Sequence, residues 1–311
     1  MKVLILAVHD WGGVGNLLAQ SLRSVGVNAK FYVSKATPFC HPSICINLGQ
    51  AREFAKSCDV IQFMHSEKFP LNVNISNKKL AVFHGGGKYR HNSKQISKKF
   101  NAIVGLSIIQ TYDLFGLGAK YEKWLLPPID THIIKPVYET EGDKIIVGHY
   151  PSSPKGKGSE TIHKIINNVK NEVPDFEYRY SYDKVPWKEQ MKRISKVDVY
   201  IERMSLKQQG KKNKKLWYKT GVWGMTALEA AALGKVVVTN FLGHDKYKKE
   251  YGHCGLQVAN SEKDMEQLLI QLLSKPKEDL LKLKEETRKW VEENHNLQAV
   301  GMRLRGMYEK L

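Results

Sequence analysis

Residues 2–34 run KVLILAVHDWGGVGNLLAQSLRSVGVNAKFYVS. A short apolar strand (2–8) meets a glycine-bearing turn. A segment with Val14, Leu17, Leu18 and Leu22 on one helical face follows, and then a second strand (29–34). Strand, turn, helix and strand within about thirty residues is a βαβ unit, and such a crossover joins parallel strands. No other feature restricts the fold as much, because the pattern continues. AREFAKSC (51–58) reads as a helix, and DVIQFM (59–64), KLAVF (79–83) and NAIVGL (101–106) read as strands. SIIQTYDLFG (107–116) reads as a helix.

WLLPPIDTHIIKP (124–136), with three prolines, ends this run and reads as a linker. The alternation then restarts. Strands are predicted at 144–149, 176–181, 197–202 and 235–240, with helices at 159–171, 186–195 and 224–233, and from 261 onward the chain is helical. Ser261 with Asp264 makes a plausible helix cap. The predicted class is α/β, two doubly wound Rossmann-like domains with a helical tail. A length of 311 residues suits two domains of ordinary size.

Charge demands an anionic partner: phosphate, nucleic acid or an anionic membrane surface. The net charge is +18, shared evenly on either side of residue 139. Residues 78–99 carry seven Lys/Arg and no acid, and KQQGKKNKKLWYK (207–219) carries six Lys and no acid. No apolar run reaches the eighteen or so residues of a membrane span, and KVLILAV is too short for a secretion signal. The four cysteines give no disulfide framework, so a reducing cytoplasm is expected. CHPSIC (40–45) brings two Cys and a His together without a fourth ligand, and no metal site is predicted.

In open parallel sheets, ligands bind where strands end and helices begin. Four such places carry chemistry. At HDWGGVGN (9–16), Gly12 and Gly13 either bring backbone amides to a ligand or only satisfy a tight turn. No acidic residue ends the second strand, which argues against NAD. In FHGGGKYR (83–90), His84 is either a donor or proton shuttle, or a satisfied loop histidine. In GHYPSSPKGKGSETI (148–162), Lys155 and Lys157 make either a phosphate cradle or a solvated loop. The Walker A pattern is absent. Finally, Glu229 is the one charge on an otherwise apolar helix. It either accepts from vicinal hydroxyls, such as a ribose, or pairs with a nearby lysine.

Three passages together resemble a known family. WLLPPIDTHIIKP is similar to the linker of retaining family-4 glycosyltransferases of the two-Rossmann GT-B fold. ALEAAALGKVVVTN is similar to their L-E-A-[MA]-A-x-G-x-P-V-V signature, and KGSETI to their K-G-x-x-x-[LI]. The final long helix and Tyr-bearing helix also resemble that family's ending. The resemblance implies an acceptor domain at 1–135, a nucleotide-sugar donor domain at 136–295, and a terminal helix, 296–311, returning to the first domain across a cleft between them. It implies sugar transfer from a nucleotide-diphosphate sugar, with retention, to a glycan, lipid-linked or other acceptor. Neither metal nor cofactor is implied. Glu229 would hold the ribose. Lys157, with His149 or Lys155, would neutralise the diphosphate. Amides of Gly12, Gly13, Gly224 and Met225 would add donors, and His84 would sit at the reacting sugar.

Departures from the family are specific. Gly221 stands where the family has a sugar-reading Glu, the lysine-rich run is an insertion, His149 replaces an Arg, and Pro127-Pro128 replaces P-N-G. Two other readings therefore stay open: a DNA-modifying glucosyltransferase, and a non-catalytic anion or nucleic-acid binder on the same scaffold. The expected location is the cytoplasm, peripheral at the inner membrane face.

Overall fold

The structure, a computed structural model, describes residues 1–209, 217–219 and 223–311. It comprises two compact units, Met1–Asp130 with His295–Leu311, and Thr131–Asn294. Part of the lysine-rich run, 210–216, and Gly221 lie outside the described residues.

Unit 1 alternates β1 (Lys2–His9), α1 (Val14–Ser24), β2 (Asn28–Lys35), α2 (Leu48–Ser57), β3 (Val60–Phe63), β4 (Lys79–His84), α3 (Gly86–Phe100), β5 (Leu106–Ile109) and β6 (Glu122–Trp124). The six strands are parallel in the order β2-β1-β3-β4-β5-β6. Val3 to Ala7 are fully buried, as expected of a strand covered on both faces. The C-terminal helix (Leu297–Glu309) packs on α1, and its Gly301 touches the α1 backbone so closely that a Cβ would overlap the Ser21 carbonyl. Its buried Tyr308 donates a hydrogen bond to Gln62 of β3.

Two expectations in this unit are corrected. SIIQTYDLFG is not a helix: Leu106–Ile109 is strand β5, and only Tyr112–Leu114 makes a helical turn. Residues 107–109 are buried between β4 and β6, where β-branched side chains suit a pleated interior better than a helix. NAIVGL is correspondingly a turn leading into β5. The basic stretch after His84, read only as a charged run, forms α3. Its Tyr89, Ile96 and Phe100 face the core while Lys94, Lys98 and Lys99 stay outside.

Unit 2 alternates β7 (Ile145–His149), α4 (Pro154–Lys157), α5 (Ser159–Glu172), β8 (Phe176–Tyr180), α6 (Trp187–Ser195) and β9 (Val199–Arg203). There follow β10 (Lys207–Gln209) and β11 (Trp217–Lys219), paired antiparallel, then α7 (Met225–Ala232), β12 (Val236–Thr239), α8 (His244–Tyr251), β13 (Gln257–Val258), α9 (Glu262–Leu273) and α10 (Leu280–Asn294). The main sheet is parallel in the order β13-β12-β9-β7-β8. Ile145, Val147, Val199, Ile201, Val236 and Val238 supply its face of the core against α5 and α9. Ser261 caps α9, accepting from the Asp264 amide at 3.0 Å.

Both sheets reverse their strand order once, between β1 and β3 and between β7 and β9. At such a point the connecting helices leave on opposite faces, and a crevice opens at the carboxyl ends of the two strands. Each unit therefore presents one predictable place for a ligand.

Candidate functional site

In unit 2 the strand ends and helix starts converge on two buried carboxylates. β9 ends in Glu202-Arg203, and Glu202 is only 1% exposed. One of its oxygens, Oε1, accepts from the Lys157 ammonium and from the Gly224 amide at 3.1 Å. Its Oε2 accepts from the Thr239 hydroxyl at 3.1 Å. Glu202 thus ties the end of β9 to α4, to the start of α7 and to the end of β12. Backbone adds to this, since the Met204 amide donates to the Lys157 carbonyl at 2.9 Å. Gly158 turns at φ +73°, and a Cβ there would overlap the Met204 carbonyl, so this close approach requires glycine.

Burial, then the neighbouring Arg203, pushes the Lys157 ammonium well below its ordinary value. Direct contact with Glu202 is what makes a charge tolerable there, because an unpaired buried ion costs several kcal/mol. Gly224 sits against this pair: a Cβ would lie 3.1 Å from Lys157 Nζ and 3.2 Å from Glu202 Oε1.

Glu229 lies in the second turn of α7, 4% exposed. Its Oε1 accepts from the Trp187 indole N–H of α6 at 2.8 Å. Among the described residues no ion pair and no other hydrogen bond reaches it, so Oε2 keeps its accepting capacity. Burial raises the carboxyl to about 7, against the pull of the Trp187 hydrogen bond and of Lys157. The helix has no polar face because its other side chains pack inward, and one indole donor is what the carboxylate receives in exchange for water.

The remaining residues of interest differ in accessibility. His149, at the end of β7, is fully buried, with Nδ1 at 2.8 Å from the Ile201 carbonyl and Nε2 at 2.8 Å from Ser159 Oγ. Burial above all holds its pKa near 4, so the ring is neutral at pH 7 and both nitrogens are engaged. Lys155 is exposed on α4, and Met225, the first residue of α7, is half-buried.

In unit 1, Gly12 and Gly13 both adopt the left-handed region, at φ 72° and 68°. The Gly13 amide donates to the Asp10 carbonyl at 3.3 Å. The first amides of α1 are occupied as well: Asp10, 8% exposed, accepts from Gly15 at 2.7 Å and from Asn16 at 3.1 Å. Asn16 in turn binds the Pro42 carbonyl and the Ile44 amide, so CHPSIC is a loop clamped onto α1. Its Cys40 and Cys45 are exposed free thiols, and among the described residues no three His, Cys, Asp or Glu side chains form a metal-binding group. His84 ends β4, fully buried, stacked on Tyr89 at 4.0 Å, with Nδ1 at 2.8 Å from Ser66 Oγ. Burial lowers its pKa to about 3, and Nε2 has no hydrogen-bond partner among the described residues.

The structure brings Lys157, Gly224 and Glu202 into direct contact, with Glu229 on the same short helix that Gly224 begins. Glu202, Trp187 and Asp10 are the residues that sequence reasoning missed. Only Glu202 left a signal, as an acid closing the apolar strand VDVYIE.

This arrangement, two parallel sheets with interleaved helices and a C-terminal helix, is the α/β fold of the GT-B class. Solved structures agree over 80% to 100% of the chain. Sucrose-phosphate synthase from Thermosynechococcus elongatus matches with a TM-score of 0.60 at 12% identity, covering 100% of this chain and 99% of that one. HepE from Anabaena, in complex with UDP-glucose, matches at 0.63 and 11% identity, covering 100% of both chains. TarM matches at 0.58 and 13% identity, over 80% of this chain and 54% of its own. No protein-family model matches the sequence, and no curated protein matches it.

Proposed function

We propose that this protein is a glycosyltransferase that moves a sugar from a nucleotide-diphosphate sugar to a glycan, lipid-linked or other acceptor, with unit 2 holding the donor. The observation that carries this reading is Glu229, a buried carboxylate with one oxygen taken by Trp187 and the other open. Two vicinal ribose hydroxyls supply the donors such an oxygen lacks. Rather more than one turn back along α7, the Gly224 amide meets Lys157 at Glu202, and the two offer a donor and an ammonium to a diphosphate. For the diphosphate to engage Lys157, phosphate oxygens replace Glu202 as its partner. As the glycosidic bond breaks, negative charge grows on the leaving phosphate, and a cation already held in place stabilises it without reorganisation.

Lys155, exposed beside this turn, adds a second cation, and the Met225 amide a further donor. His149, neutral and sealed, orients the start of α5 through Ser159 in this reading and contributes no charge. Gly12 and Gly13 shape the turn before α1, and His84 belongs to the acceptor-side unit. The GT-B fold and the UDP-glucose complex of HepE make UDP-glucose the first donor to try. Retention, hexosyl transfer and independence of metal follow the family resemblance. So does a peripheral position at an anionic membrane face, for which the basic α3 surface is suited; among the described residues no helix is long and apolar enough to cross a membrane.

One observation favours a second reading. Lys157 already has a counter-ion in Glu202, which suits a scaffold that binds anions or nucleic acid elsewhere and no longer turns over a donor. A hydrolysis and transfer screen with UDP-, GDP-, ADP- and TDP-sugars separates the two, with duplex DNA among the acceptors. Turnover of at least one donor is expected. Failure with every donor, together with no nucleotide binding by calorimetry, would overturn the transferase.

A further inference from the structure

Unit 1 contains a cavity of about 370 Å³ that none of the preceding roles uses. It lies where β1 and β3 end against α3. Val8 and Phe100 supply apolar wall, and Lys68, Lys88 and Lys99 supply three ammonium groups. Lys88 is paired with Glu67. Lys68 and Lys99 make no ion pair among the described residues, so two positive charges border the cavity uncompensated.

Two independent features mark the same spot. Ser66, another wall residue, and its neighbour His65 both sit in the left-handed region, at φ 62° and 54°, without being glycine. Backbone held in that region persists where surrounding structure enforces it, and such residues gather at binding sites. Behind the wall lies His84, whose ring bonds to Ser66 through Nδ1 and meets Phe100 edge-on at 5.9 Å. Its Nε2 is a buried polar atom with no partner among the described residues, and its contact with the cavity runs through Ser66 and Phe100.

We infer that this cavity seats a phosphomonoester group carried by the acceptor, with the lysines on its oxygens and the acceptor's carbon skeleton against Val8 and Phe100. The inference rests on the transferase reading and extends it to the chemistry of the second substrate. A phosphomonoester carries close to two negative charges at pH 7, which matches two uncompensated ammonium groups. A carboxylate would satisfy only one. Lysine, a compact point charge on a flexible stem, is suited to phosphate oxygens approached from several directions.

Calorimetry on the full chain at constant ionic strength tests this with glucose 6-phosphate, glucose and glucuronate as probes, and with phosphatidylcholine vesicles carrying phosphatidate or, at equal surface charge, phosphatidylserine. Expected is a preference of at least about tenfold for the phosphomonoester over its non-phosphate counterpart in one of the two arms. The K68Q/K99Q double variant, whose changes are on exposed side chains, should abolish that preference while its melting temperature and UDP affinity stay at wild-type values. Preference in the sugar arm identifies a soluble phosphorylated acceptor, and preference in the vesicle arm a lipid phosphate. No preference in either arm, or a preference that survives in K68Q/K99Q, overturns the site. UDP binding is read separately: its absence with phosphate recognition intact would remove UDP as the donor nucleotide and leave the phosphate site standing, whereas the transferase reading itself falls only if every nucleotide and every donor fails.

Discussion

The end of β1 in unit 1 and the end of β9 in unit 2 border the strand-order reversal of two sheets built to the same plan, and a helix start faces each. At β1, Asp10 gives both oxygens to the first amides of α1, at 2.7 and 3.1 Å. At β9, Glu202 gives one oxygen to the Gly224 amide and shares it with Lys157, while Glu229, a turn along the same helix, keeps one oxygen unengaged. At the first helix start the chain's own carboxylate takes two amides, and at the second it takes one. The second holds a cation and an accepting oxygen in reserve. A helix start at a switch point is thus only an opportunity, and how many of its amides the chain's own acids take decides what is left for a ligand.

The contrast can be broken most forcefully at Glu202. E202A leaves Lys157 buried without its partner and should cost about 3–5 kcal/mol of stability in denaturant unfolding. E202A/K157M, which removes both charges, should regain most of the loss. A single variant as stable as wild type would mean that the pair does not hold α4 to α7.

The next largest effect is that of pH. Glu229 titrates near 7 in the folded chain, above its ordinary value of 4.5, so between those values the folded state holds a proton that the unfolded state has released. Stability contributed by the protonated acid is therefore complete below about 4.5 and declines as pH rises to about 7. The decline is on the order of 3 kcal/mol. Buried histidines with lowered pKa values slope the other way, so the measurement is the difference between wild type and E229Q, whose pH profile should lack this component.

E229Q should also weaken UDP binding by roughly 10- to 100-fold, the value of about 1.5–3 kcal/mol for a hydrogen bond to a charged group. The circular dichroism spectrum should not change, and equal affinity would remove the ribose role. D10A is the smallest change. Losing the α1 cap should cost about 1 kcal/mol and leave UDP affinity untouched. If D10A instead disturbs nucleotide binding, the two helix starts are not furnished as differently as their hydrogen bonds indicate.

Much of the scaffold could be read from the chain because its signals are local. VLILAV, after Lys2, is apolar at every position, as a strand covered on both faces must be, and it forms most of β1. The glycine pair at 12–13 announced a turn, and both residues are left-handed. Errors came where a local signal was ambiguous. SIIQTYDLFG carries apolar residues at helical spacing, but its first residues lie between two strands, and burial there outweighed spacing. α3 was hidden because its charged face dominates the composition, although Tyr89, Ile96 and Phe100 repeat at core spacing.

Glu229 was conspicuous as the only charge on an apolar helix. Its partner Trp187, 42 residues away, was not. Nor was the pairing of Lys157 with Glu202 across 45 residues.

By itself the sequence determined two parallel sheets, the turns after their strands, an excess of positive charge and one out-of-place acid. These follow from periodicity, backbone conformational preference and side-chain inventory, which act over a few residues. Tertiary structure decided which acid receives Lys157, which oxygen of Glu229 stays open, and that Asp10 closes α1. Each depends on strands distant in the chain ending side by side, where burial makes an unpaired charge costly and so selects the partner within reach.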